Sequence, residues 1–231
     1  MSHPTHPAPP TTATKTLATL AAGLLLILGA GGCALPSAIA YKVFGPPAVP
    51  ARYTPHPTEP MLVLVENPFS GAVAIPEADE LASVIYHDLD EHKVAPMIDP
   101  AKVNDLRDRS PNMFAKMSIA EIGRLLGAKQ VLYVHIDRLD VDQAAGSDMI
   151  KTRMAATIKV VDTTTAMTAF PQSGETEPFE HETPHVRMEA STNRSELKRL
   201  LLRAGGLEIT RWFYSWKPET MSEENRDVKL R

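Results

Sequence analysis

Few residues in this sequence have the types and spacing that chemistry requires, and the single cysteine, Cys33, has the most distinctive surroundings. Lys15 precedes an apolar run over residues 17–28, and three small residues, 30–32, come directly before Cys33. One cysteine cannot form an internal disulfide bond, and a zinc site normally needs several Cys or His ligands at close spacing. A secretory signal peptide typically has a positively charged residue near its N-terminus, then an apolar run, then small residues at the cleavage site. We therefore predict that residues 1–32 are a signal peptide.

Residues 28–33, with the sequence LGAGGC, resemble the lipobox of bacterial lipoproteins, with Ala30 in the place of the usual leucine. The resemblance implies that the Cys33 thiol is acylated and becomes the first residue of the mature chain, anchored in a membrane and facing the periplasm. Ala34 replaces the aspartate that retains many similar lipoproteins at the inner membrane, so we expect the outer membrane. The alternative is an uncleaved transmembrane anchor, because the nearly uncharged residues 17–41 approach the ~20 residues that span a bilayer.

Histidines lie near carboxylates in two stretches. In YHDLDEHK, His87 and His92 are five residues apart. On a helix they diverge by about 140°, whereas a zinc-binding helix places its histidines four residues apart. A solvated helix face explains this stretch better. In EHETPHV, His181 and His185 lie among carboxylates, which gives our alternative function, a metal-dependent envelope hydrolase. The acidic, proline-containing residues 171–184 favour a surface insertion instead.

Other catalytic patterns are absent from the sequence. Ser70 lacks the glycine-flanked elbow of a catalytic serine. Gly205 and Gly206 are not followed by the lysine and serine or threonine of a phosphate loop, so they indicate close helix packing or a kink. His135 is interpreted as a half-buried structural histidine. We expect no enzymatic activity, no cofactor, no metal and no small-molecule substrate.

Charge argues against a nucleic-acid partner. The chain has 24 Lys and Arg against 28 Asp and Glu, and the two signs are mixed along its length. A nucleic-acid-binding domain would concentrate basic residues on one face. The hydrophobic content of 43% is ordinary for a globular protein.

Prolines separate the apolar run from the rest of the chain. Proline fixes φ and removes a backbone donor, so we predict a lipidated N-terminus and an extended spacer over residues 33–60. A globular domain is predicted over residues 61–218, and a polar disordered tail over residues 219–231. The spacer prolines are Pro46, Pro47, Pro50, Pro55, Pro57 and Pro60.

The hydrophobic pattern of the domain predicts alternating strands and helices. A continuous apolar run over residues 61–66 indicates a buried strand, and Pro76 favours the first turn of a helix. Ser118 and Glu121 form a capping-box pattern. Residues 127–141 and 150–162 predict the strands of a long hairpin, and a last helix follows Asn193. The order predicts an α/β domain with helices packed on a mixed sheet.

Part of this pattern is similar to a known group. A helix ending at Leu126-Gly127-Ala128, the strand QVLYVHI, a hairpin and the strand ending VVDTTT resemble the domain shared by curli secretion-channel lipoproteins, penicillin-binding-protein activator lipoproteins and the N-terminal domain of the Tol translocation protein. In that group a threonine-glycine turn follows the aspartate. Here Asp162 is present, but no glycine follows it in residues 163–166. The resemblance covers about residues 61–216 and implies a periplasmic accessory module that binds proteins and does no catalysis.

The last helix ends in an aromatic cluster formed by Trp212, Phe213, Tyr214 and Trp216. Four aromatic side chains this close cannot all enter one narrow apolar stripe. We predict that Phe213 and Trp216 point outward and contact an envelope protein or a second copy, since aromatic residues are enriched in binding hot spots. The alternative is that these side chains cap the core beneath the sheet.

A second candidate partner surface is the acidic insertion over residues 174–182. It contains Glu175, Glu177 and Phe179. Its acidic, proline-containing sequence predicts an exposed loop, and loops often carry binding residues.

Overall fold

Parallel strands form the first half of the sheet. In the computed structural model, which describes residues 46–67, 76–143, 149–183, 186–187 and 193–218, β1 (Met61–Glu66) lies between β2 (Met97–Ile98) and β3 (Gln130–Gln143). Both neighbours run parallel to β1, so each connection is a helical crossover. Helix α1 (Pro76–Glu91) joins β1 to β2, and three helices join β2 to β3: α2 (Ala101–Arg109), α3 (Pro111–Phe114) and α4 (Ile119–Leu125).

Antiparallel strands form the second half. Strand β4 (Met149–Asp162) pairs with β3 along nearly its whole length. Three short strands pair with the other side of β4: β5 (Thr168–Phe170), β6 (Glu177–Glu182) and β7 (Val186–Arg187). Helix α5 (Arg194–Thr210) follows. The predicted α/β class, with helices packed on one mixed sheet, is confirmed.

Side-chain alternation divides the core into two layers. Leu132, Val134 and Ile136 of β3 point to the face covered by α1 and α5, while Val131 points to the face covered by α2 and α4. Gly206 lets α5 approach α1 closely, because a Cβ atom there would lie 2.8 Å from Val84 Cγ1. The close helix packing that the two adjacent glycines indicated is therefore present.

Local signals set several element ends as predicted. Ser118 Oγ accepts a hydrogen bond from Glu121 N, and Glu121 Oε2 accepts one from Ser118 N at 2.7 Å. At the end of β4, Asp162 Oδ1 accepts hydrogen bonds from Thr165 N and Thr164 N. These bonds hold the pKa of Asp162 below its ordinary value. Ala166 follows with a φ of 58°, in the left-handed conformation that favours glycine.

The predicted spacer is wrong from residue 49 onward. Residues 49–60, which we call the strap, belong to the compact unit Val49–Trp216. Gln130 Nε2 donates to the carbonyls of His56 and Glu59, and Pro60 O accepts from Lys129 N. Prolines remove only their own donors, and the residues between them still pair with the domain.

The predicted acidic loop is also corrected. Residues 177–182 form β6, with His181 opposite Met154 of β4. Phe179 is only 4% exposed, and its burial holds this charged segment on the sheet.

No helix within the described ranges is both long and apolar enough to cross a membrane. Cys33 and the apolar run before it lie outside those ranges.

Candidate functional site

The strap pairs with the end of the last helix through main-chain hydrogen bonds. Val49 N donates to Trp216 O at 2.7 Å, and Trp216 N donates to Val49 O at 3.1 Å. Arg52 N and Tyr53 N both donate to Trp212 O, at 2.8 and 3.0 Å. We call residues 49–53, residues 212–216 and the side chains that they contact the clasp.

Aromatic rings fill the interior of the clasp. The Tyr53 ring lies 5.5 Å from that of Phe170 and packs edge-on against Phe213 at 6.3 Å. Trp212 packs edge-on against Phe170 and Phe179. Edge-to-face pairs contribute about 0.5–1.5 kcal/mol each beyond the burial of their area. The strap therefore packs against the hydrophobic core through Tyr53.

Two arginines cover the outer rings of the clasp. The Arg52 guanidinium carbon lies 4.0 Å from the Trp212 ring centroid, and its Nη2 pairs with the Glu177 carboxylate. Arg211 lies 4.4 Å over the Trp216 ring. These contacts leave the outer surface of the clasp charged rather than apolar.

Four of the five residues predicted to bind a partner lie in the clasp. Phe213 and Phe179 are 2% and 4% exposed, so the prediction that they form an outer surface is wrong, and the alternative of core capping holds for Phe213. Glu177 and the partly buried Trp216 contact the strap. Glu175 is exposed, and its binding role stays a prediction.

A groove of about 450 Å³ adjoins the clasp, lined in part by Pro50, Lys93 and Tyr214. The His92 ring stacks on Tyr214 at 3.9 Å, and Tyr214 Oη donates to Asp88 Oδ2 at 2.9 Å. Burial, followed by the Asp88 contact, raises the pKa of Tyr214 despite an opposing hydrogen bond with Thr210. The solvated helix face predicted for YHDLDEHK is thus partly covered by the chain's own C-terminal segment.

Only His181, one of the two histidines of the hydrolase alternative, lies among the described residues. His181 Nδ1 lies 2.6 Å from Glu208 Oε2 of α5, and His185 lies outside the described residues. Across the described part of the chain, no three His, Cys, Asp or Glu side chains are placed to hold a metal ion. Ser70 also lies outside that part.

Apart from the clasp, a polar cluster lies where β1 ends beside β3. Tyr133 Oη donates to Glu66 Oε2 at 2.7 Å and lies 3.3 Å from His135 Nδ1. Burial, followed by the contact with Glu66, raises the pKa of Tyr133 well above its ordinary value. The alternation of Tyr133 and His135 was visible in the sequence, but the pairing of Glu66 with His135 depends on the parallel register.

Charged side chains continue this cluster along the same side of the sheet. Lys151 and Arg153 of β4 both pair with Glu182 of β6, and Arg138 of β3 lies 3.6 Å from Asp140. We call this surface the polar face; it comprises Glu66, Tyr133, His135, Arg138, Asp140, Lys151, Arg153, Lys159 and Glu182.

No family model matches the chain, and no curated protein matches it. Among solved structures, it is similar to the lipoprotein GNA1162 from Neisseria meningitidis, at 14% identity and a TM-score of 0.42, over 66% of this chain and 99% of that one. It is similar to XCC0632 from Xanthomonas campestris, of family DUF330, at 11% identity and a TM-score of 0.43, over 80% and 97%. A minor lipoprotein from Acinetobacter baumannii has 12% identity and a TM-score of 0.35, over 65% and 89%.

Two of these three neighbours are named as lipoproteins of bacteria. All three TM-scores are below 0.5, so these likenesses do not establish a function for this chain. None of the three names is that of a curli, penicillin-binding-protein activator or Tol protein, and that finer resemblance stays a prediction.

Proposed function

We propose that this chain is a membrane-anchored bacterial lipoprotein whose α/β domain is a non-enzymatic, protein-binding accessory module of the cell envelope. The sequence around Cys33 supports the anchor. The structural observation that carries the proposal is the clasp, which joins the chain segment on the Cys33 side to the domain core. The point at which a tether leaves the folded domain sets the domain's reach from the membrane, and the clasp sets that point at Val49.

The clasp shortens the tether that the prolines predict. Residues 34–48 separate Cys33 from the strap, and 15 extended residues span at most roughly 50 Å. A pull on the tether would have to break the hydrogen bonds of Val49 and the packing of Tyr53 before it acted on the strands of the sheet. The module is therefore proposed to work close to its membrane, with Ala34 favouring the outer one.

Trp216 and Glu175 are the proposed contact residues for the partner, which is an envelope protein or a second copy of the chain. Trp216 is partly exposed beneath Arg211, and Glu175 is exposed in the turn before β6. Both side chains are accessible in the folded domain, unlike those of Phe213 and Phe179.

The anchor is tested by the intact mass of the protein from the producing cell's membranes, compared with that of Cys33→Ala. We expect a wild-type chain that begins at Cys33 and carries added lipid mass, and a variant that lacks the lipid. A wild-type chain that retains residues 1–32 without lipid would contradict lipidation and favour a transmembrane anchor. Density separation of the two membranes then tests the outer-membrane location.

Partner binding is tested by a photo-crosslinking residue placed at position 216 or 175 in producing cells. The matched control is position 125, where Leu125 is 56% exposed on α4. We expect a discrete adduct, with one envelope protein or with the chain itself, at positions 216 and 175 but not at 125. Equal labelling at all three positions, or none, would contradict the proposed surface.

A further inference from the structure

A cavity of about 190 Å³ lies between α1 and α2, beside the edge of β1 that β2 leaves uncovered. It is lined by residues of both helices and by Asp99 and Pro100, which precede α2. Val63 and Val65 of β1 form its strand side. Its polar lining comprises Asp79, Ser83, Asp99, Asn104 and Arg107.

The main chain of β1 is available at this cavity. Met61 N donates to Pro96 O of the β2 segment, whereas Pro60 O accepts from Lys129 N and Gln130 N on the β3 side. Because main-chain groups alternate sides along a strand, the amides and carbonyls of Val63 and Val65 point toward β2.

Strand β2 is too short to pair with the Val63 carbonyl and the Val65 amide. The β1–β2 ladder ends at the pair Leu62 and Ile98. Evenly spaced parallel pairing would next require an amide at position 100, which is Pro100 and has no N–H. The described residues therefore offer the Val63 carbonyl and the Val65 amide no strand partner on this side.

Arg107 is the one cation among the described residues that line this cavity, which also include the carboxylates of Asp79 and Asp99. Its side chain is only 16% exposed, and its Nη1 donates to Asn104 Oδ1 at 3.1 Å. Asp79 Oδ1 lies 3.7 Å from Nη1, beyond the 2.7–2.9 Å of a charge-assisted hydrogen bond. A guanidinium has five N–H donors, so most of them have no hydrogen-bond acceptor among the described side chains. The guanidinium carbon lies 5.1 Å from the Phe114 ring centroid, so the remaining donors are open to a planar carboxylate in the plane of the guanidinium.

The size of the cavity limits its occupant. Sites for drug-sized ligands have about 300–1,000 Å³, so this cavity suits a group close to one amino-acid residue. An exposed strand edge recognises a main chain, and a free guanidinium recognises a carboxylate. The end of a peptide combines both groups in one residue.

We propose that this cavity binds the C-terminal residue of an extended peptide, which pairs with the free edge of β1 and places its carboxylate against Arg107. This inference concerns a site separate from the clasp and does not depend on lipidation or on the partner surface proposed above.

The test measures fluorescence anisotropy of an N-terminally fluorescein-labelled trialanine with a free C-terminal carboxylate, added to the full chain in detergent. We expect saturable binding, with the C-terminal amide of the same peptide at least about tenfold weaker because it lacks the charge. A peptide that is N-methylated at its last amide should also bind at least about fivefold more weakly, because it has lost a strand donor.

Two arginines of α2 give matched variants. Arg107→Gln should weaken binding of the acid peptide at least about tenfold, and Arg107→Lys about fivefold, since lysine keeps the charge but not the fork. Arg109→Gln should stay within about twofold, because Arg109 is exposed and pairs only with Asp105 among the described side chains. If Arg107→Gln does not fold by circular dichroism, the lysine variant and the two modified peptides decide the question.

Three results would overturn the proposal. The acid peptide fails to bind, or the amide binds as well as the acid, or Arg107→Lys binds with wild-type affinity. If sodium acetate displaces the labelled peptide at the same concentration as unlabelled trialanine, the cavity recognises a small anion and the strand-pairing part is wrong. Loss of lipidation in Cys33→Ala would leave all of these measurements unchanged.

Discussion

The clasp and the polar face use their charged residues in opposite ways. In the clasp, the guanidinium groups of Arg52 and Arg211 lie over the rings of Trp212 and Trp216, and Trp212 itself packs on the core. On the polar face, Lys151, Arg153 and Glu182 pair with one another across strands in contact with solvent. The comparison shows that residues with the composition of a binding surface can be used inside the molecule, while the accessible surface is built from ordinary charged pairs.

The energetic consequence is that stability should depend on the clasp far more than on the polar face. Buried rings contribute through area and packing, whereas exposed ion pairs typically contribute about 0–1 kcal/mol. Four predictions test this contrast, and each uses the purified full chain in detergent.

The largest expected effect belongs to Phe213. Phe213→Ala removes a ring that is 2% exposed and touches Tyr53 and Phe170, so we expect a loss of about 3–5 kcal/mol in the free energy of unfolding. Urea denaturation followed by circular dichroism measures it. The control Phe114→Ala, at a partly buried ring, should lose less. A variant of Phe213 with wild-type stability would contradict its place in the core.

Arg52 tests the outer contacts of the clasp. Arg52→Ala removes the cation over Trp212 and the pair with Glu177, so we expect a loss of about 1 kcal/mol. Arg138→Ala on the polar face is the matched control, with an expected loss of no more than about 0.5 kcal/mol. Equal losses for the two variants would remove the distinction between the two regions.

Tyr133, a half-buried residue of the polar face, tests this region through pH. Its pKa is raised in the folded protein above the ordinary value of 10.0, chiefly by burial and then by Glu66, so folding favours the neutral phenol. That stabilisation is fully present below pH 10 and is lost as the pH rises toward the folded pKa. Tyr133→Phe should weaken the alkaline loss of stability, as measured by urea denaturation at increasing pH.

A second variant sharpens the alkaline test. Glu66→Gln removes the nearby carboxylate but leaves the burial of Tyr133, so the pKa of the phenol should remain raised, but less so. Ultraviolet absorbance of the phenolate reports the titration. An unchanged titration in Glu66→Gln would mean that burial alone sets the pKa.

The smallest expected effect belongs to Glu182. Its carboxylate forms ion pairs with both Lys151 and Arg153, and its side chain is 44% exposed. Glu182→Gln should leave the urea midpoint unchanged at physiological ionic strength, because solvent and salt screen these pairs. A clear drop in the midpoint would indicate that this part of the polar face is covered in the protein's working state.

Most of the fold was predictable from local patterns. The apolar run of β1, the capping box of Ser118 and the cap at Asn193 mark their elements within a few residues, because each signal acts over one turn or one strand. The shortness of β2 was not predicted, since its end depends on Pro100 and on pairing with β1. The acidic composition of β6 predicts a loop, because Phe179 is the one buried residue of this strand.

The clasp was only half predictable. The cluster at residues 212–216 drew attention to the right part of the chain, but no local signal assigns Phe213 to the core or gives Trp216 a strap residue as partner. Tyr53 N donates to Trp212 O, so this hydrogen bond joins two residues that lie far apart in the sequence. The polar cluster of Glu66 and Tyr133 was missed for the same reason, since it depends on the register between two parallel strands.

The sequence by itself determined the α/β class, the order of the main elements and the signal pattern that ends at Cys33, because periodicity, capping and composition act between near neighbours in the chain. Only the tertiary structure decided that the proline-rich strap packs on the domain, that Phe179 and Phe213 are buried, and that Arg107 lines a cavity with Val63 and Val65 of β1. Those outcomes depend on contacts between distant residues, and such contacts exist only after the sheet has set its register and the helices have covered its faces.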